Sequence, residues 1–146
     1  MSTREESSAA SDVYKSKYQG TGNDFVMIDD RAQKFDDSDL KLVSMLCDRK
    51  FGVGADGLIL IRNHADYDFE MIYFNADGSQ SMCGNGARCA VAFSAFLGIL
   101  DSKTSFLAIY GPHEATLKDG LVPVSYIHLT LPTTPYVSTL VRVQST

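Results

Sequence analysis

Met82-Cys-Gly-Asn-Gly-Ala-Arg-Cys89 runs directly into Ala90-Val-Ala-Phe-Ser-Ala-Phe-Leu97. Cys83-Gly84-Asn85-Gly86 opens a predicted helix over residues 87–97, with Gly98 as its C-cap. Ala90, Val91, Ala92, Phe93, Ala95, Phe96 and Leu97 spread apolar side chains over nearly every face of that helix. A helix of this kind is expected to be buried all round rather than laid on a surface. The flanking sequence must therefore supply a wrap.

It supplies strands. On the N-terminal side, residues 13–19 mix aromatic and polar residues in near alternation, which predicts a strand. Gly20-Thr21-Gly22-Asn23-Asp24 is a turn, and residues 25–29 (Phe-Val-Met-Ile-Asp) a short buried strand. Asp36-Asp37-Ser38-Asp39 offers N-caps to a helix marked by Leu40, Val43, Leu46 and Cys47, which must end before Gly52. The glycine-rich loop from Phe51 to Gly57 leads into a strand over residues 58–61, and residues 69–75 form another before the turn Asn75-Ala-Asp-Gly-Ser79. Beyond the apolar helix, residues 105–110 and 114–117 add further strands. Strands around a buried helix make an α+β domain, here assigned to residues 13–122.

Composition narrows the class of function. The 146 residues are 45% hydrophobic and 21% charged, enough apolar material for a core. The net charge is −5 and the 13 basic residues are scattered, which excludes the basic stripe of a nucleic-acid binder. The longest apolar stretch, residues 89–100, is interrupted by Ser94 and Gly98 and falls short of the roughly 20 residues of a membrane helix. Cys47, Cys83 and Cys89 make an odd set without C-x-x-C, which points to reduced cysteines in a cytoplasmic protein. His64, His113 and His128 lack ligand spacing, so no metal site is assigned. Residues 1–12, polar and carrying Glu5 and Glu6, read as a disordered extension. Residues 123–146 read as a non-native or poorly packed tail, of the kind left by a gene truncated in assembly. Residues 124–137 carry no charge and no turn logic.

Four features carry chemistry or its imitation. Gly52-Val-Gly-Ala-Asp-Gly57 matches the dinucleotide fingerprint, but a helix precedes it and a strand follows, the reverse of what a bound pyrophosphate needs. Its glycines serve tight turns. Cys83, at a helix N-terminus, faces unpaired backbone N–H groups and the positive end of the helix dipole, and both favour the thiolate. The neighbouring glycines let a substrate approach, and free amides can hold a carboxylate. That pattern suits removal of a proton next to a carboxylate, whereas Cys47 and Cys89 fit the small core hydrophobe that cysteine usually is. Asn23 and Asn75 are turn formers by default, although their amides could bracket a zwitterion. Arg88 reads as a structural anchor.

Together these motifs resemble a known family. Gly20-Thr-Gly-Asn-Asp-Phe-Val26, Leu46-Cys-Asp-Arg-Lys-Phe-Gly-Val-Gly-Ala-Asp-Gly-Leu58, Phe74-Asn-Ala-Asp-Gly-Ser79 and Met82-Cys-Gly-Asn-Gly-Ala-Arg-Cys89 stand in the order found in diaminopimelate epimerases. The resemblance covers residues 14–122. It implies one half of a two-half fold, each half a curved, mostly antiparallel sheet wrapped round a central helix, with the active site in the cleft between them. Two cysteines, one from each half, then face opposite sides of the substrate α-carbon and invert LL-diaminopimelate to the meso form, a precursor of lysine and the cell wall. The resemblance implies no cofactor, neither pyridoxal phosphate nor metal. It makes Cys83 the first-half acid/base and places Asn23, Asn75, Gly84 and Asn85 at substrate-binding positions. The partner it implies is the small molecule diaminopimelate, and a homodimer stays open.

The sequence departs from the family pattern twice. Gln80, Ser81 and Met82 are three residues between Ser79 and Cys83 where the family has four, which puts the placement of Cys83 in question. No Gly-Ser-Gly-x-Cys-like segment follows Val122, so the opposing cysteine is expected to be missing and the chain to be inactive alone. The competing readings are a non-catalytic binding or assembly module of the same fold and another cofactor-independent isomerase, such as a proline-racemase-like enzyme.

Overall fold

The computed structural model of the chain describes residues 14–126 and 143–145. The expected N-terminal extension, 1–12, and most of the expected tail lie outside these residues.

Thr21 and Gly22 both adopt positive φ, 54° and 85°, as a two-residue hairpin turn requires. That turn pairs β1 (Tyr14–Gly20) with β2 (Asn23–Asp29) from Gly20 opposite Asn23 outward. Asp39 caps α1 (Leu40–Cys47) by accepting from the Leu42 amide at 3.0 Å. α1 is the crossover between β2 and β3 (Gly57–Arg62), which run parallel. β4 (Phe69–Asn75) returns antiparallel to β3. α2 (Gly84–Phe96) is a second crossover, leading to β5 (Lys103–Ala108), which meets β4 in parallel only at Phe69–Phe106 and Glu70–Leu107. β6 (Gly111–Thr116), β7 (Val124–Tyr126) and β8 (Val143–Ser145) complete one sheet in the order β7-β6-β5-β4-β3-β2-β1-β8. Five of its seven pairings are antiparallel.

The central strand β3 explains itself. Leu58 and Leu60 join Val26, Ile28, Val43 and Phe74 on the α1 side, while Ile59 and Ile61 join Met27, Phe69, Val91 and Phe93 on the α2 side. A strand covered on both faces reads as an unbroken apolar run, and Gly57-Leu-Ile-Leu-Ile61 is one. β7 and β8 end the strand order on opposite sides, yet both touch α2. The sheet therefore curves round that helix, the α+β arrangement expected.

Two local expectations are corrected. α2 begins at Gly84 rather than 87, because Cys83 caps it and the glycines enter its first turn. Its burial is not complete all round: Gly86 to Val91, Phe93 and Ser94 are buried, but Phe96 is 63% exposed, so the sheet covers the helix up to its last turn and no further. In the expected tail, the described residues of β7 pair with β6 and those of β8 pair with β1.

Candidate active site

One rim of the sheet gathers the candidate residues. Register places Phe25 beside Gly57 and Gly57 beside Asn75, so Asn23, Asp56 and Asn75 sit at the same end of β2, β3 and β4. The N-terminus of α2 arrives there. Gly86 allows the approach: a Cβ on it would stand 3.1 Å from Ile59 Cδ1 and 3.4 Å from Cys83 Cβ.

Cys83 is half-buried and is the N-cap of α2, its Sγ accepting from the Gly86 amide at 3.3 Å. The three-residue connection from Ser79 still delivers it to the helix end. The Gly84 and Asn85 amides, first in the helix, have no acceptor among the described residues. The other thiols differ. Burial pushes Cys47 up to about 11 and Cys89 up to about 12, which keeps both protonated at neutral pH.

Asn85 Nδ2 donates to Asn23 Oδ1 at 2.7 Å, and Asn23 Nδ2 donates to Asp56 Oδ2 at 3.2 Å. Arg88 donates from Nη2 to Asn85 Oδ1. At the other end, Arg49 bridges Asp24 and Asp56, at 2.8 and 3.0 Å, while Lys17 lies 3.0 Å from Asp24. The Arg49 guanidinium is the main reason that the Asp24 carboxyl is held well below the usual carboxylate range. Asn75 works differently: its Oδ1 accepts from the Tyr73 hydroxyl at 2.8 Å, and its Nδ2 donates to Ser79 and Ser81 at 3.0 and 3.2 Å. It thereby holds the loop that leads to Cys83. Burial raises Tyr73 to about 12, so its hydroxyl keeps the proton it donates.

The structure thus brings Cys83, Gly84, Asn85 and Asn23 together and ties Asn75 to them through Ser81. Each asparagine also retains unused capacity, because an amide carries two donor hydrogens and two acceptor lone pairs. Sequence reasoning missed Asp24, Arg49, Asp56 and Tyr73. Asp24 and Asp56 lay inside the quoted motifs, but their mutual bonds, Asp24 N to Asp56 Oδ2 and Asp56 N to Asp24 Oδ1, both 3.1 Å, cross 32 residues. A groove of about 450 Å³ flanks the loop where β4 and β5 diverge, lined by Tyr73, Ser81, Met82, Leu107 and Ile109 among others. Among the described residues, no group of three or more His, Cys, Asp or Glu is placed to hold a metal ion, and no helix is long and apolar enough to cross a membrane.

Known proteins share this arrangement. The sequence model of the family described as diaminopimelate epimerase matches residues 15–121. A diaminopimelate epimerase of Flavobacterium psychrophilum is 58% identical over 105 residues, covering 71% of this chain and 41% of that protein. One from Aquifex aeolicus is 42% identical over 134 residues, covering 85% of this chain and 48% of the relative. The crystal structure of a Bacillus anthracis phenazine biosynthesis protein of the PhzF family superposes with a TM-score of 0.58 at 14% identity, over 76% of this chain and 38% of that one, and so shares the fold. The chain spans less than half the length of these curated relatives. By motif order, by matched length and by fold, it belongs to the diaminopimelate epimerase family.

Proposed function

We propose that this chain supplies one face of the site that inverts LL-diaminopimelate to the meso isomer. The observation that supports it most is the start of α2, where the Cys83 thiol stands beside the Gly84 and Asn85 amides, which have no acceptor among the described residues. A substrate carboxylate held on those amides would bring its α-carbon to the thiol. Cys83 then takes or returns the α-proton on that face, while Asn23, Asn75 and Asn85 orient the substrate's polar groups. The reaction needs no cofactor in this reading, and the reduced thiol suits the cytoplasm.

Inversion needs an acceptor on one face and a donor on the other. Cys47 and Cys89 are buried and strongly protonated, so neither serves as the second group. The second group lies in the length that the relatives have and this chain lacks. The chain alone should show no α-deuterium exchange or stereoisomer conversion of diaminopimelate in heavy water. Joined to the remaining length of the Flavobacterium relative, it should gain turnover that Cys83→Ala reduces by roughly 10²- to 10⁴-fold. A joined protein whose turnover survives Cys83→Ala would overturn the assignment.

A further inference from the structure

Arg88 is an expensive residue for its place. It is buried, pairs with no carboxylate among the described residues, and its Nε has no hydrogen-bond partner there. Burial pulls its pKa down, as expected for a cation short of counter-charge. Methionine or leucine would fill the same volume without stranding a charge and an N–H group. The guanidinium stands immediately behind the start of α2: a Cβ on Gly84 would lie 3.8 Å from Nη1 and Nη2. The nearby carboxylates, Asp24 and Asp56, are already matched by Lys17 and Arg49.

Its hydrogen bond is also the first in a directed series. A guanidinium only donates and a carboxylate only accepts, whereas an amide has one end of each kind. With Arg88 on Asn85 Oδ1, Asn85 Nδ2 must face Asn23 and meets its Oδ1 at 2.7 Å. Asn23 Nδ2 is then left for Asp56 Oδ2, at 3.2 Å. Turning either amide over would set like against like at both of its contacts. We propose that Arg88 is a positioning residue, which fixes the direction of this hydrogen-bond chain and holds positive charge behind the Gly84 and Asn85 amides, drawing an anionic group to the Cys83 thiol. This rests on the reading of Cys83 as the reactive thiol.

The test compares alkylation of Cys83 by iodoacetate, an anion, with alkylation by neutral iodoacetamide, mapped by mass spectrometry on the full chain and on Arg88→Met, Arg88→Lys and Arg88→Gln. Arg88→Met should lower the iodoacetate-to-iodoacetamide rate ratio roughly fivefold. Arg88→Lys should recover most of it, and Arg88→Gln, which keeps a donor without the charge, should resemble Arg88→Met. A purely structural arginine would change both rates alike. An unchanged ratio in Arg88→Met, with Cys83 still the fastest thiol to react, overturns the role of Arg88 and leaves the reading of Cys83 standing. Labelling of Cys47 or Cys89 ahead of Cys83 in the unaltered chain sinks that reading instead. If Arg88→Met loses its near-ultraviolet circular dichroism, Arg88→Gln decides. Loss of fold in all three variants makes Arg88 a structural anchor and overturns the proposal.

Discussion

Asn85 Nδ2 donates to Asn23 Oδ1 at 2.7 Å, joining residues 62 apart and fastening the start of α2 to the start of β2. Asn85→Ala strands both Asn23 Oδ1 and Arg88 Nη2 and should cost about 1–3 kcal/mol. Asn23→Ala added to it should cost less than it does alone, with a coupling of about 0.5–3 kcal/mol. Urea denaturation of the four proteins in the cycle measures this. Strict additivity would mean that the bond contributes nothing.

Alkaline pH should weaken the fold through its thiols. Cys47 and Cys89 are raised to about 11 and about 12 in the folded chain, whereas an unfolded cysteine ionises at about 8.5. Between these values the unfolded chain has released protons that the folded chain still holds, so stability is fully present below about pH 8.5 and falls as pH rises toward about 12. Melting temperatures taken from pH 7 to pH 10.5 should decline. Cys89→Ala should flatten the decline, although it lowers stability at neutral pH by leaving a small cavity.

Gly57→Ala probes the joint between strand and site. A Cβ at Gly57 would stand 2.5 Å from Tyr73 Cε2 and 2.7 Å from the Phe74 carbonyl oxygen. Backbone cannot yield cheaply, so the substitution should cost about 1–3 kcal/mol. The Tyr73 ring should also shift and disturb its bond to Asn75. A drop in the denaturation midpoint with altered Tyr73 near-ultraviolet dichroism is the expected result, and an unchanged midpoint would count against the packing described.

Truncation after Val122 removes two strands of three residues each, β7 and β8. Both are edge strands, and the core of the sheet between β1 and β6 stays paired. Unfolding should remain cooperative, with the melting temperature lowered by about 5 °C or less. A larger loss would make residues 123–146 an integral part of the domain.

Where local chemistry decides, the sequence could be read. Asp39 before a helical repeat placed α1 at Leu40, and the apolar run before Arg62 placed β3. Glycine misled at α2, because Gly84 and Gly86 look like loop residues until Cys83 is seen to cap them. The parallel pairings of β2 with β3 and β4 with β5 depend on where each crossover helix packs, which no short window contains. The site divides the same way. Cys83 announced itself by its neighbours. Asn23 and Asn75 looked like turn residues until the family motifs were recognised, and Arg49, Asp56 and Tyr73 act through partners distant in sequence or through burial.

The chain of bonds from Arg88 to Arg49 is anchored differently at its two ends. Arg88 is sealed in the interior, while the Arg49 and Asp56 side chains are 58% and 40% exposed. Dissolved ions screen exposed pairs and scarcely reach buried ones. Rising ionic strength therefore frees Asn23 from the Asp56 side while Asn85 keeps its aim. The helix start stays rigid while the strand start slackens, and the width of the gap between them becomes a property that the solution can adjust.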